Sequence, residues 1–190
     1  MVATPRNIVG VLLALLASFP VCARNITICH DFGCKAQTEV DVSPPLVRSL
    51  AGLFEPPLKS TAKERDRIAR AIACLEQRIG ALTGTDRDIG GNYDAERDYP
   101  HQMDCIDESR NSTTYLRLLD SLGLLRWNRP VERRYRSLFL IDGHWTAVVE
   151  EIETGKRWAV DSWYHDNGQP PEIQPLADWL KRKRPGRGAP

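Results

Sequence analysis

The chain reads as a single domain of the α+β class. Two segments, 62–82 and 104–122, repeat apolar residues every three or four positions, as amphipathic helices do. Three runs rich in β-branched and aromatic residues, 135–141, 144–150 and 157–163, follow them. Length and composition agree, because 190 residues with 42% hydrophobic and 27% charged side chains suffice for one buried core. The formal net charge of +1, without a nucleic-acid-reading motif, argues against a nucleic-acid partner.

In chain order, residues 1–23 are the expected secretory signal. Arg6 supplies the positive start, Ile8 to Phe19 the apolar run, and Val21-Cys22-Ala23 the small residues of a cleavage site. The run is too short for a bilayer, which takes roughly twenty residues, so export with no stable membrane anchor is expected, to the periplasm or the medium. The domain proper is then 24–180, and the basic stretch 181–190 is expected as a frayed, solvated tail.

Cys29, Cys34, Cys74 and Cys105 survive cleavage into an oxidising compartment. Residues 26–29 alternate like a strand, His30-Asp31-Phe32-Gly33 reads as a turn, and Gln37 to Val42 reads as the returning strand. Cys29 and Cys34 are the candidate disulfide across that turn. Cys74, in mid-helix, is expected to be a buried free thiol.

Leu46 to Phe54 is expected as a short helix ended by Pro56-Pro57. Ser60 or Thr61 caps the next, Ala62 to Leu82, whose face of Ile68, Ile72, Leu75, Ile79 and Leu82 belongs in the core, and Gly84 stops it. Residues 85–102, with Gly90-Gly91 and Pro100, read as a surface loop. Asp104 caps the helix that Gly123 ends, and Asp107 completes a capping-box-like pair.

This cap puts Cys105 in a helix's first turn, where unpaired N–H groups favour a thiolate, although Asp104, Asp107 and Glu108 oppose it. A neighbouring imidazole supplies what is missing. His144 opens a strand after Gly143, and Asp161 lies on the next one. Alternation puts His144, Thr146 and Asp161 on one face, expected to meet the cysteine helix, and Trp145, Ala147, Val149, Trp158 and Val160 on the core face. A two-residue turn at Thr154-Gly155 would set His144 opposite His165, whereas a four-residue loop, Glu151 to Thr154, or a bulge with the same effect, sets it directly opposite Asp161, and the longer connection is expected.

Asp104-Cys105 opening a helix, then His144-Trp-Thr-Ala-Val-Val, then Trp158-Ala-Val-Asp161-Ser, in that order, resemble the bacterial transglutaminase-like cysteine peptidases over roughly 62–163. The resemblance implies a papain-like fold with the nucleophile helix packed on an antiparallel sheet. It implies a triad of Cys105, His144 and Asp161 that cleaves an amide of a protein or peptide substrate through a thioester. The Cys105 backbone N–H would meet the oxyanion, and Gln102 is the candidate for a second donor. Some periplasmic members hold calcium with acidic residues on both sides of the cysteine. Here Asp104 matches and Ile106 does not, so no cofactor is expected, and calcium is the one ion the resemblance raises.

Two other classes compete. Cys29, His30, Cys34, His101, Cys105 and His144 are all zinc-capable, but the Cys29–Cys34 spacing suits a disulfide better, so no metal is expected. A binding module of the cell envelope that keeps the fold without catalysis is the second, and acyl transfer to an amine is the variant within the enzyme class.

Overall fold

The computed structural model describes residues 24–93, 100–137 and 143–182. The expected signal, the tail beyond Arg182 and residues 138–141 of one expected strand lie outside these. The fold is α+β. An antiparallel hairpin of β1 (Asn25–His30) and β2 (Ala36–Asp41) precedes three helices, α1 (Pro44–Leu53), α2 (Thr61–Thr83) and α3 (Cys105–Ser121). A four-stranded antiparallel sheet follows in the order β3 (Asn128–Arg136), β4 (His144–Glu151), β5 (Arg157–Asp161) and β6 (Glu172–Pro175), and the short α4 (Leu176–Leu180) closes it. No described helix is long and apolar enough to cross a membrane.

The helix ends follow their capping chemistry. The Ser60 hydroxyl accepts from Lys63 N at 3.3 Å, and Gly84 ends α2 at φ +80°, where a β-carbon would be strained. At α3, Asp104 accepts from the backbone of Ile106 and Asp107 at 2.9 and 3.0 Å, while Asp107 accepts from Asp104 N at 3.2 Å.

One core lies between the helices and one face of the sheet. Ile68, Ile72, Leu75 and Ile79 of α2 and Leu116 and Leu119 of α3 pack there with Ala147, Val149 and Val160, and Ile28 and Val40 extend it to the hairpin. On the other face Val148 and Ala159 meet Leu176 and Trp179 of α4. Leu82, expected in the core, is exposed, because the buried stripe of the helix passes from Ile79 and Gly80 to Thr83 instead. Cys74 is partly exposed and free.

Several expectations change. The first sheet strand begins at Asn128, seven residues before Tyr135, and includes Pro130. Proline lacks the N–H a central strand needs, but β3 is at the sheet edge and tolerates it. Its entry is fixed from α2: the buried Glu64 carboxylate accepts from the backbone N–H groups of Arg126 (2.7 Å), Trp127 (3.0 Å) and Asn128 (2.7 Å). The described parts of the expected loop 85–102, residues 85–93 and 100–102, are not simply a surface loop either. Thr85, Asp88, Asn92 and Gln102 are buried, and the segment is laced to residues 163–167 by Gly91 N to Trp163 O (2.6 Å) and Asn167 N to Asp88 O (3.1 Å). Gly90 makes this approach possible, since a β-carbon there would lie 2.4 Å from the His165 carbonyl carbon.

The hairpin register and the assignment of its faces also change. The β4–β5 connection is four residues, but it runs from Ile152 to Gly155, with Glu151 N bonded to Lys156 O at 2.8 Å. Ala147 then pairs with Val160 and Glu150 with Arg157, an offset that sets Asp161 against Thr146 rather than His144. The apolar face of Ala147, Val149 and Val160 is the one covered by α2 and α3, so alternation sends His144, Thr146 and Asp161 to the α4 side.

Candidate functional site

His144 and Asp161 meet diagonally across the two strands. His144 Nε2 and Asp161 Oδ2 are 2.8 Å apart, with the two side chains only 6% and 2% exposed. A carboxylate accepts and cannot donate, so in the neutral ring Nε2 carries the proton and Nδ1 keeps its lone pair. The same Oδ2 accepts from Trp179 Nε1 at 2.7 Å. Rings surround the imidazole, with centroids at 4.9 Å for Trp163, 5.3 Å for Tyr164 and 5.7 Å for Trp179. Arg136 fixes this cage from β3: it lies 4.1 Å over the Trp179 ring, donates to Trp179 O and donates to the Tyr164 hydroxyl at 2.7 Å.

Cys105 occupies the first turn of α3, a free thiol of intermediate exposure. Its sulfur lies against the backbone N–H of Trp145, the residue after His144, and against its own N–H. Burial, with the Asp104 and Asp161 carboxylates, outweighs those donors and pushes the thiol up to about 11. Cys105 is therefore a neutral thiol at physiological pH. A bulge between Val131 and Arg134 turns Arg133 towards the same helix end, where its guanidinium donates to Ser109 Oγ at 2.9 Å and lies 4.7 Å from the Trp145 ring.

Gln102 is only 2% exposed, and both atoms of its amide are engaged. Oε1 accepts from Ile89 N and Asn92 Nδ2, each at 3.1 Å, and Nε2 donates to Arg87 O at 2.9 Å. It thus ties the 87–92 segment to the start of α3. The Cys29–Cys34 disulfide is formed, and the hairpin turn docks on the same helix. Cys34 N donates to Asp107 Oδ1 at 2.5 Å, and Asn111 bonds both Cys29 N and Cys29 O at 2.8 Å.

Sequence reading missed Trp179, Trp163, Tyr164, Arg136 and Arg133. The only cue was aromatic density around 158–164 and 179. It also missed a set of buried carboxyls behind the helix start. Burial, reinforced by mutual repulsion, raises Glu76 to about 8 and Asp88 and Asp107 to about 7, and raises Glu108 well above the usual range.

Among the described residues two groups converge closely enough for a metal ion: Cys29, Cys34 and Asp107, and His30, Asp31 and His101. Both sulfurs of the first are in the disulfide. No protein-family model matches the chain, and neither curated proteins nor solved structures give a significant match.

Proposed function

We propose that this chain is an exported cysteine hydrolase of papain-like, transglutaminase-like fold that opens an amide bond of a protein or peptide. The observation that carries the reading is the buried His144–Asp161 hydrogen bond beside a first-turn cysteine whose sulfur meets the Trp145 N–H. The disulfide in the hairpin supports an oxidising compartment.

The neutral thiol decides how the first step runs. Because no thiolate is stored, His144 Nδ1 takes the proton as Cys105 Sγ bonds to the amide carbon, and Asp161 stabilises the imidazolium that results. The Cys105 backbone N–H faces the oxyanion. Collapse of the tetrahedral adduct breaks the C–N bond, the imidazolium returns its proton to the leaving amine, and a thioester remains on Cys105. Water, deprotonated by the same nitrogen, attacks the thioester and releases the acid and the free thiol.

The test is hydrolysis of a mixed peptide pool, followed by mass spectrometry, for the native protein and Cys105→Ala. Cleavage that disappears in the variant, with unchanged circular dichroism, supports the reading. Cleavage that persists, or none in the native protein, sinks it. Adding a primary amine separates acyl transfer, which yields amide products, from hydrolysis. The thiol held near 11 favours a second reading, a non-catalytic module of the same fold, which the absence of cleavage in the native protein would support.

A further inference from the structure

We propose that His30, Asp31 and His101 form a zinc-class divalent metal site that clips the hairpin turn to the segment leading into α3. His30 Nδ1 lies 3.2 Å from His101 Nδ1 and 3.0 Å from Asp31 Oδ2, and His101 Nδ1 lies 3.5 Å from Asp31 Oδ1. Tetrahedral zinc with ligand bonds of about 2.0–2.1 Å separates its ligand atoms by about 3.3 Å. The 3.2 Å between the two Nδ1 atoms is close to that value, each nitrogen has one of the two Asp31 oxygens at 3.0 or 3.5 Å, and nitrogen and oxygen donors are those zinc takes.

The Asp31 carboxylate faces both rings, with Oδ2 towards His30 Nδ1 and Oδ1 towards His101 Nδ1, so a cation held between the two imidazole nitrogens has a carboxylate oxygen within reach as its third ligand.

The surroundings fit the same role. His30 Nε2 lies 3.0 Å from Thr38 Oγ1, and an N–H donated there leaves Nδ1 unprotonated, as outer partners of metal-bound histidines do. Asp31 N donates to Gln102 O at 3.0 Å, and Asp31 Oδ1 accepts from His101 N at 3.0 Å, so the carboxylate is oriented before any ion arrives. The His101 ring sits where a β-carbon on Gly84 would be, 2.8 Å from its Cδ2. His30 is buried, whereas His101 and Asp31 are 39% and 40% exposed, which gives an ion an entry side and leaves the fourth position to water. His30 and His101 are zinc-capable by residue type, but the sequence gives no cue that they meet, since His101 comes 70 residues after Asp31.

The proposal is independent of whether Cys105 is catalytic. Full-length protein is stripped with a chelator, dialysed and titrated with zinc by calorimetry and with cobalt by absorption, without reductant. One equivalent bound at micromolar affinity or tighter is expected, with cobalt ligand-field bands and no thiolate charge-transfer band. His101→Gln should weaken zinc binding at least 30-fold and abolish the zinc-dependent rise in melting temperature, while His165→Gln leaves both unchanged. Should His101→Gln fail to fold, X-ray absorption of the zinc-loaded native protein reads the ligands directly, with two imidazoles expected. No stoichiometric binding, unchanged affinity in a folded His101→Gln, or sulfur ligation overturns the site.

Discussion

Replacing Glu76 by glutamine should flatten the dependence of stability on pH. The Glu76 carboxyl is 4% exposed; one oxygen accepts from Gly168 N at 2.9 Å, and the other has no partner. Burial holds its proton until about pH 8, whereas in the unfolded chain it is lost near the ordinary 4.5. Between those values the folded chain binds more protons than the unfolded one, so its stability is full below 4.5 and falls as pH rises towards 8. A carboxyl kept protonated over that span corresponds to roughly 5 kcal/mol at most. Neighbouring carboxyls share the effect and the site relaxes, leaving about 2 kcal/mol to be read. Glutamine keeps an acceptor for Gly168 and cannot ionise. Urea unfolding followed by tryptophan fluorescence at pH 5 and 8.5 measures the difference. The native protein should lose stability between the two, and Glu76→Gln should lose about 2 kcal/mol less. Equal pH slopes in the two proteins, or native stability that rises with pH, would refute the reasoning.

Three further outcomes follow from the geometry. On the proposed hydrolase reading, Trp179→Phe removes one of the two donors on Asp161 Oδ2 and should lower kcat about tenfold with KM unchanged, since a charge-assisted hydrogen bond contributes about 1.5 kcal/mol; a change confined to melting temperature, with the His144 NMR signals unmoved, would refute a positioning role. In a Cys74→Ser background, iodoacetamide should alkylate Cys105 at pH 7 about 100-fold more slowly than an ordinary thiol, with the rate still climbing above pH 9. A plateau below pH 8 would mean a stored thiolate instead. Gly90→Ala sets a β-carbon 2.4–2.6 Å from the His165 backbone and should destabilise the fold by about 1–3 kcal/mol in thermal unfolding, and an unchanged transition would show that the two segments separate easily.

The helices were legible because their signals are local. Ser60 and Gly84 bound α2, and Asp104 with Asp107 starts α3, each by contacts within four residues. Face parity was legible for the same reason, and it grouped His144 with Asp161. Which side of the sheet the pair occupies was not, because that depends on where α2, α3 and α4 dock, as their contacts with Ala147 and Ala159 record. The offset between β4 and β5 was set by the Glu151–Lys156 bond, which no residue type announces. Trp179 was illegible because its meaning lies in a bond to a residue 18 positions earlier; His101 was recognisable as a zinc-capable residue, but its meeting with His30 and Asp31 was not, because they lie about 70 positions away.

The bond from Trp179 to Asp161 also bears on synthesis. A ribosome delivers Cys105, His144 and Asp161 before residue 179, so until α4 emerges the shared carboxylate oxygen has only the imidazole as partner and the face carrying it is uncovered. The candidate site is completed by one of the later-made parts of the domain, and a nascent chain halted before Leu176 should expose an incompletely held imidazole. The candidate site is thus complete only once translation has passed the segment that covers the sheet.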